Sequence, residues 1–171
     1  MLQFKTPELK YLSYRQGQIA YRETGIGQTL FFLHGMNGNS KSWENLFYSL
    51  SSSFRIIAWD APSFGGSDVF GDNIEEYKNA AKALIETLKL KKIILIGHSM
   101  GGLIASQLAY DNDVSVSGLI LSSTHLGFGC KKGEPLMERY ANRLKTFSTK
   151  LSDIDYAMER AQRNTPEGTS E

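Results

Sequence analysis

Residues 91–102, which read KKIILIGHSMGG, decide the fold. An apolar run rich in isoleucine comes first, a glycine-flanked turn around Ser99 follows, and the next residues continue with apolar side chains at helical spacing. This pattern predicts a strand, a sharp turn with Ser99 at its apex, and a helix. Gly97 and Gly101 lack a Cβ, which would let the strand and the helix approach each other closely. Met100 then presents its backbone N–H at the start of the helix, beside the serine hydroxyl.

Composition narrows the class of protein. The chain has 171 residues, with 19 lysines and arginines against 18 acidic residues. This balance gives no electrostatic basis for binding nucleic acid or an anionic membrane. The sequence has no apolar run long enough to span a membrane. Residues 1–5 lack the apolar region of a secretory signal, so we expect no standard signal peptide. The lone Cys130 cannot form an internal disulfide, so we expect a cytoplasmic protein.

The rest of the chain predicts an α/β fold with a mostly parallel sheet and helices on both faces. Continuous apolar runs are typical of strands that are covered on both sides, and they alternate here with amphipathic helices. The buried strands are predicted at residues 29–33, 55–60, 91–97 and 116–122, and the helices at 40–51, at 72–90 and after Ser99.

Local signals refine two of these elements. An N-terminal hairpin is predicted from residues 11–15 and 18–24, with Gly17 in the flexible backbone position of its turn. The helix at 72–90 is predicted to begin with a capping box formed by Asp72 and Glu75.

The predicted loops at the carboxyl ends of the strands hold most of the unusual residues. They comprise residues 34–38, 60–68, 97–101 and 124–129. Ligands of parallel sheets bind beyond these ends. The sequence therefore predicts one small-molecule pocket there, to which we assign His34, Gly35, Trp43, His98 and His125.

Three motifs in this order carry a resemblance to a known family. They are His-Gly-Met-Asn-Gly at 34–38, Asp-Ala-Pro-Ser-Phe-Gly-Gly-Ser at 60–67 and Gly-His-Ser-Met-Gly at 97–101. Together with Trp43 they resemble the α/β-hydrolase fold family, most closely its lid-bearing esterases, lactonases and C–C hydrolases. Ser63 stands where many members have glycine.

The resemblance implies a serine hydrolase that acts on a small acyl substrate. Ser99 would be the nucleophile, and the backbone N–H groups of Met36 and Met100 would form the oxyanion hole. Neither a cofactor nor a metal ion is expected. The oligomeric state and the identity of the substrate stay open.

The general base of such an enzyme is not evident. The family places an acid and then a histidine on loops after later strands, and no strand is predicted beyond residue 122. His34 is expected to brace the oxyanion loop, and His98 is expected to point into the sheet edge. His125 follows a strand end and is the alternative base. We expect a form that lacks the C-terminal part of the family's fold and is weakly active alone.

The sequence also allows functions other than hydrolysis. The alternative is a non-catalytic protein that is derived from this fold and binds a small molecule or a partner. A phosphate-binding loop at residues 35–42 is disfavoured because Ser40 replaces the glycine that precedes its lysine.

The predicted domain organisation has three parts. Residues 1–130 would form the core, 131–163 a helical segment and 164–171 a frayed tail. Apolar residues at helical spacing in 135–163 predict two helices, which form either a lid or a terminal hairpin. We favour the lid.

Overall fold

A computed structural model describes residues 6–71, 73–112 and 114–124, together with 138, 141, 142 and 145. The chain divides into two compact units, Met1–Leu126 and Gly127–Glu171. In the second unit the four described residues are helical, namely Glu138, Ala141, Asn142 and Lys145. The rest of the predicted lid, the predicted tail and His125 lie outside the described residues, so the lid stays a prediction.

Strands and helices alternate through the described part of the first unit. The strands are β1 (Leu9–Tyr14), β2 (Gly17–Thr24), β3 (Gln28–Leu33), β4 (Phe54–Trp59), β5 (Ile93–His98) and β6 (Val116–Ser122). The α-helices are α1 (Glu44–Leu50), α2 (Ile74–Thr87) and α3 (Met100–Asp111), and a 3₁₀ helix, Ser40–Trp43, leads into α1.

The six strands form one mixed sheet in the order β1-β2-β4-β3-β5-β6. The β1–β2 hairpin pairs antiparallel with itself and with β4, whereas β4, β3, β5 and β6 pair in parallel. The parallel strands therefore end at one edge, and the loops after β3, β4 and β5 gather there. The prediction of a mostly parallel α/β sheet is confirmed.

Side chains of β3 alternate between two apolar cores. Leu30 and Phe32 pack with Phe47 of α1 on one face of the sheet. Phe31 and Leu33 lie in the larger core on the other face, which includes buried residues of α2 and α3. The two-residue period of a strand explains this division. The continuous apolar run at 29–33 thus indicated helices on both faces, as predicted.

The turn of the β1–β2 hairpin differs from the prediction. Arg15, at φ 52°, takes the left-handed conformation, and Gly17 does not, so the expected role of Gly17 was wrong. Gly17 lacks a side chain for another reason. A Cβ there would lie 2.6 Å from Oδ2 of Asp68, which accepts a hydrogen bond from the Gln18 N–H at 2.9 Å.

Two helix starts also differ from the prediction. The N-cap of α2 is Asn73, whose side-chain oxygen accepts a hydrogen bond from the Glu76 N–H at 3.0 Å. The predicted capping box was therefore one residue too early, and Asp72 itself lies outside the described residues. The predicted helix at 40–51 begins as a 3₁₀ helix capped by Asn39 and becomes α-helical only at Glu44.

Strand β6 is not buried, contrary to the prediction. Leu119, Ile120 and Leu121 expose 40%, 53% and 46% of their surfaces. The apolar sequence of β6 indicated a strand correctly, but burial depends on what packs against the strand. Within the described residues β6 is an edge strand, since β5 is its one neighbour.

Candidate active site

The turn after β5 is a tight elbow with Ser99 at its apex. Ser99 has φ 51° and ψ −115°, a conformation that costs a non-glycine residue free energy. Its N–H donates to the Ser122 carbonyl at 2.9 Å, which anchors the turn to the end of β6. The strained residue is therefore held from a neighbouring strand.

Two glycines make this elbow possible by different contacts. A Cβ on Gly97 would lie 2.5 Å from the Gly102 Cα, so here strand and helix do nearly touch, as predicted. A Cβ on Gly101 would instead collide with the Leu33 carbonyl group and lie 2.6 Å from the His34 carbonyl oxygen. Gly101 thus brings α3 against the end of β3 rather than against β5.

The loop after β3 is a turn whose peptide groups have fixed directions. The Gly38 N–H donates to the Gly35 carbonyl oxygen at 3.0 Å, and Asn37 takes the left-handed conformation at φ 66°. The Gly35 carbonyl and the Met36 N–H belong to one planar trans peptide and so point in opposite directions. Because the carbonyl points into the turn, the Met36 N–H points out of it.

His34 is a buried part of this loop, with 1% of its surface exposed. Its Nε2 lies 2.9 Å from the Ala61 N, and its Nδ1 lies 2.8 Å from the Gly35 carbonyl oxygen. Burial lowers the pKa of His34 below its ordinary value of 6.5, although the bond to Gly35 and the Asp60 carboxylate act to raise it. The imidazole is therefore neutral near pH 7, with both nitrogens occupied.

The loops after β3 and β5 meet at Gly35. A Cβ at this position would lie 3.1 Å from the Ser99 Cβ and 2.7 Å from Nδ1 of His98. The imidazole of His98 therefore packs on the Gly35 backbone, at the edge of the sheet where the loops gather. Since Gly35 precedes Met36, this contact brings the Met36 peptide close to the serine.

A cleft of about 350 Å³ opens beside this junction. Four of the five residues assigned to a pocket line it, namely His34, Gly35, Trp43 and His98, and the fifth, His125, lies outside the described residues. Met36, with 56% of its surface exposed, forms part of the wall. The rings of Trp43 and Phe32 have centroids 4.9 Å apart, which fixes the Trp43 wall to the core under α1.

Asp60 joins the loops after β3 and β4. It is 2% exposed; its Oδ1 accepts from the Ser40 N–H at 2.6 Å and its Oδ2 from the Gly66 N–H at 2.8 Å. Gly65 has φ 54°, and a Cβ there would collide with the same carboxylate. Asp60 thus serves as a structural clamp. The motif at 60–67 identified the residue, but its partners lie too far apart in sequence to be predicted.

The described residues do not form an acid–histidine pair. His34 and Asp60 use their polar atoms in the bonds given above, and no carboxylate of the described residues bonds the His98 ring. Within that part of the chain, no group of three or more His, Cys, Asp or Glu side chains is arranged to hold a metal ion. The described helices include none that is long and apolar enough to cross a membrane.

Comparison with known proteins identifies the family. A profile of the alpha/beta hydrolase fold matches residues 28–157, which is more than half of the chain. The chain belongs to the α/β-hydrolase family. Curated proteins that match the chain include hydrolases and esterases from several bacteria.

Individual relatives show how much of the α/β-hydrolase fold the chain contains. A pimeloyl-[acyl-carrier protein] methyl ester esterase of Proteus mirabilis is 32% identical over 80% of this chain and 51% of its own length. A solved esterase of Exiguobacterium antarcticum is 30% identical, with a TM-score of 0.63 over 70% of this chain and 47% of its own. The chain spans 35% to 51% of the length of the first curated relatives that it matches.

A third relative shows the fold alone. A hydrolase of Pseudomonas aeruginosa PA01 is 20% identical, with a TM-score of 0.75 over 91% of this chain and 58% of its own. The fold of this chain therefore corresponds to part of the fold of a longer protein.

Proposed function

We propose that this α/β-hydrolase acts on a carboxylic ester or a related acyl compound, with Ser99 as its nucleophile. The observation that carries the proposal is the packing of Gly35 against the Ser99 Cβ, at 3.1 Å from an ideal Gly35 Cβ. It brings the Met36 peptide beside a serine in a strained elbow. The similarity to a bacterial methyl ester esterase supports an ester as the substrate class.

Two backbone donors suit the charge that develops in acyl transfer. Attack by the Ser99 Oγ forms a C–O bond and moves an electron pair onto the substrate carbonyl oxygen. The Met36 N–H, which points out of its turn, and the Met100 N–H, which has no partner within α3, would hold that oxygen. Collapse of the intermediate then breaks the ester C–O bond, and the alcohol leaves with the proton that the serine hydroxyl lost. Water hydrolyses the acyl-serine to the free acid and restores the serine hydroxyl. The two methionine side chains have no part in this.

We propose further that the chain turns over slowly by itself. Serine needs a base to take its proton, and the acid–histidine pair of the family is absent from the described residues. An enzyme that lacks its triad partners retains a rate of about 10³–10⁴ over water from the oxyanion hole and binding. The acid and base would come from a part of the protein beyond residue 124.

A fluorophosphonate probe tests the nucleophile directly, because it phosphonylates an activated serine and its phosphoryl oxygen occupies an oxyanion hole. We expect slow labelling of a single residue, Ser99, located by mass spectrometry of a tryptic digest, and none in Ser99→Ala. The matched control is Ser49→Ala, which removes a hydroxyl bonded to the Asn45 carbonyl within α1. Labelling at another residue, or equal labelling of Ser99→Ala, would refute the proposal.

A binding protein derived from the same fold is the second candidate. It is favoured by one observation, an open cleft of about 350 Å³ that is lined by Gly35, Trp43 and His98 but not by Ser99. If no residue is labelled while short-chain acyl compounds still raise the melting temperature, binding without catalysis is the better description. Rapid ester hydrolysis that depends on Ser99 would exclude it and would also disprove slow turnover.

A further inference from the structure

We propose that His34 is a positioning residue, which donates a hydrogen bond to the Gly35 carbonyl and thereby orients and polarises the Met36 N–H. The inference rests on the proposed function, since it concerns one of the two oxyanion donors. It assigns to a buried histidine an action on the reaction that goes beyond bracing a loop. The action passes through the Gly35–Met36 peptide, so His34 itself touches no reacting atom.

The hydrogen bonds of His34 determine which ring nitrogen carries the proton. A backbone N–H can only donate, so the bond from the Ala61 N–H makes Nε2 an acceptor. A neutral imidazole with Nε2 unprotonated carries its hydrogen on Nδ1. That nitrogen lies 2.8 Å from the Gly35 carbonyl oxygen, which can only accept. The direction of both hydrogen bonds therefore follows from which partner atoms can donate and which can accept.

The Gly35 carbonyl then has two donors, one on each lone pair. The Gly38 N–H donates at 3.0 Å and the His34 Nδ1–H at 2.8 Å. Two bonds fix the plane of the peptide more firmly than one, so the Met36 N–H has one direction. A carbonyl that accepts hydrogen bonds also makes the N–H of its own peptide a stronger donor. His34 thus increases both the alignment and the donor strength of the Met36 N–H.

The surroundings hold His34 in the orientation that this role needs. The ring of Phe64 meets it edge to face, with centroids 5.3 Å apart. Ala61, which supplies the bond to Nε2, directly follows the clamp residue Asp60. The loop after β4 therefore fixes the histidine, and the histidine fixes the peptide beside Ser99.

Two substitutions separate the two bonds. The amide of His34→Asn can replace the Nδ1–H donor to Gly35 but cannot reach Ala61. The longer His34→Gln can accept from Ala61 near the Nε2 position but loses the donor at Nδ1. Asparagine leaves the larger void at this buried site, so a purely structural role predicts the larger effect in His34→Asn. We expect phosphonylation of Ser99 to be about tenfold slower in His34→Gln than in His34→Asn, the effect of roughly one hydrogen bond.

Nuclear magnetic resonance tests the same proposal without any reaction. A long-range ¹H–¹⁵N correlation of the wild-type chain should show the hydrogen of His34 on Nδ1, and the Met36 amide proton should shift upfield more in His34→Gln than in His34→Asn. A hydrogen on Nε2 would overturn the proposal, as would equal rates and equal Met36 shifts in the two variants. If Ser99 is never labelled, the proposed function fails, and the tautomer and the Met36 shifts still decide this inference.

Discussion

Replacing Gly101 by alanine tests whether the elbow depends on the contact between α3 and the end of β3. The added methyl group would collide with the Leu33 carbonyl and lie 2.6 Å from the His34 carbonyl oxygen. Both neighbours are backbone atoms at the end of the central strand β3, so neither can rotate away. Helix α3 would have to move outward from β3.

The size of the effect follows from two opposing terms. Alanine is favoured over glycine inside a helix by about 1 kcal/mol. Overpacking a well-packed core costs about 1–3 kcal/mol, and a clash with rigid backbone belongs at the upper end. We therefore expect Gly101→Ala to lower the free energy of unfolding by about 2 kcal/mol, which corresponds to a melting temperature about 4–8 °C lower in a chain of this size.

Gly118→Ala is the matched control, because a Cβ on Gly118 would meet the Ile94 side chain at 3.5 Å, an ordinary contact. Alanine there restricts the unfolded chain and should stabilise the protein by about 0.4–1 kcal/mol. Thermal unfolding followed by circular dichroism compares the two variants with the wild type. If Gly101→Ala melts at or above the wild-type temperature, close backbone approach is not the reason for glycine at this position.

Two further predictions concern the buried polar groups that support the site. Asp60→Asn keeps one acceptor oxygen for two loop N–H groups, and its amide NH2 faces the second N–H. The urea midpoint should therefore fall by an amount equivalent to about 1–3 kcal/mol. An unchanged midpoint would mean that the Asp60 clamp does not stabilise the fold. Burial lowers the pKa of His34 below 6.5, so the folded protein favours the neutral imidazole. The stability that comes from the neutral form is fully present above pH 6.5 and is lost as the pH falls toward the pKa of the folded state. Urea titrations from pH 7.5 to pH 5 should therefore show a larger fall in the free energy of unfolding for the wild type than for His34→Asn, and an equal fall in both proteins would contradict this explanation.

Local patterns predicted the sheet and most of its elements because they act within a few residues. The apolar run at 93–97 and the glycines around Ser99 specify strand, turn and helix without reference to the rest of the chain. The two-residue and 3.6-residue periods likewise identify which faces are apolar. Local patterns are too weak where two neighbouring residues have nearly equal preferences for the same position. Asp72 and Asn73 both favour the N-cap, so the sequence could not decide which of them caps α2.

Contacts between distant segments were beyond the sequence. The exposure of Leu119, Ile120 and Leu121 depends on what packs beside β6 and not on their own hydrophobicity. The position of His98 depends on the approach of Gly35 from another loop, some sixty residues earlier in the chain. For the site, the sequence identified the residue types and the loops. The bonds that orient them came only from the fold.

The proposed oxyanion donor Met36 is oriented entirely by residues from one continuous part of the chain. The Met36 donor is oriented by hydrogen bonds that involve His34 and Gly38, and His34 is held in turn by the loop after Asp60. All of these groups lie between β3 and α2, so folding of the central strands assembles them. In the proposed function, the base would approach Ser99 from another part of the protein. The segment between β3 and α2 would therefore orient the Met36 N–H independently of the group that removes the serine proton.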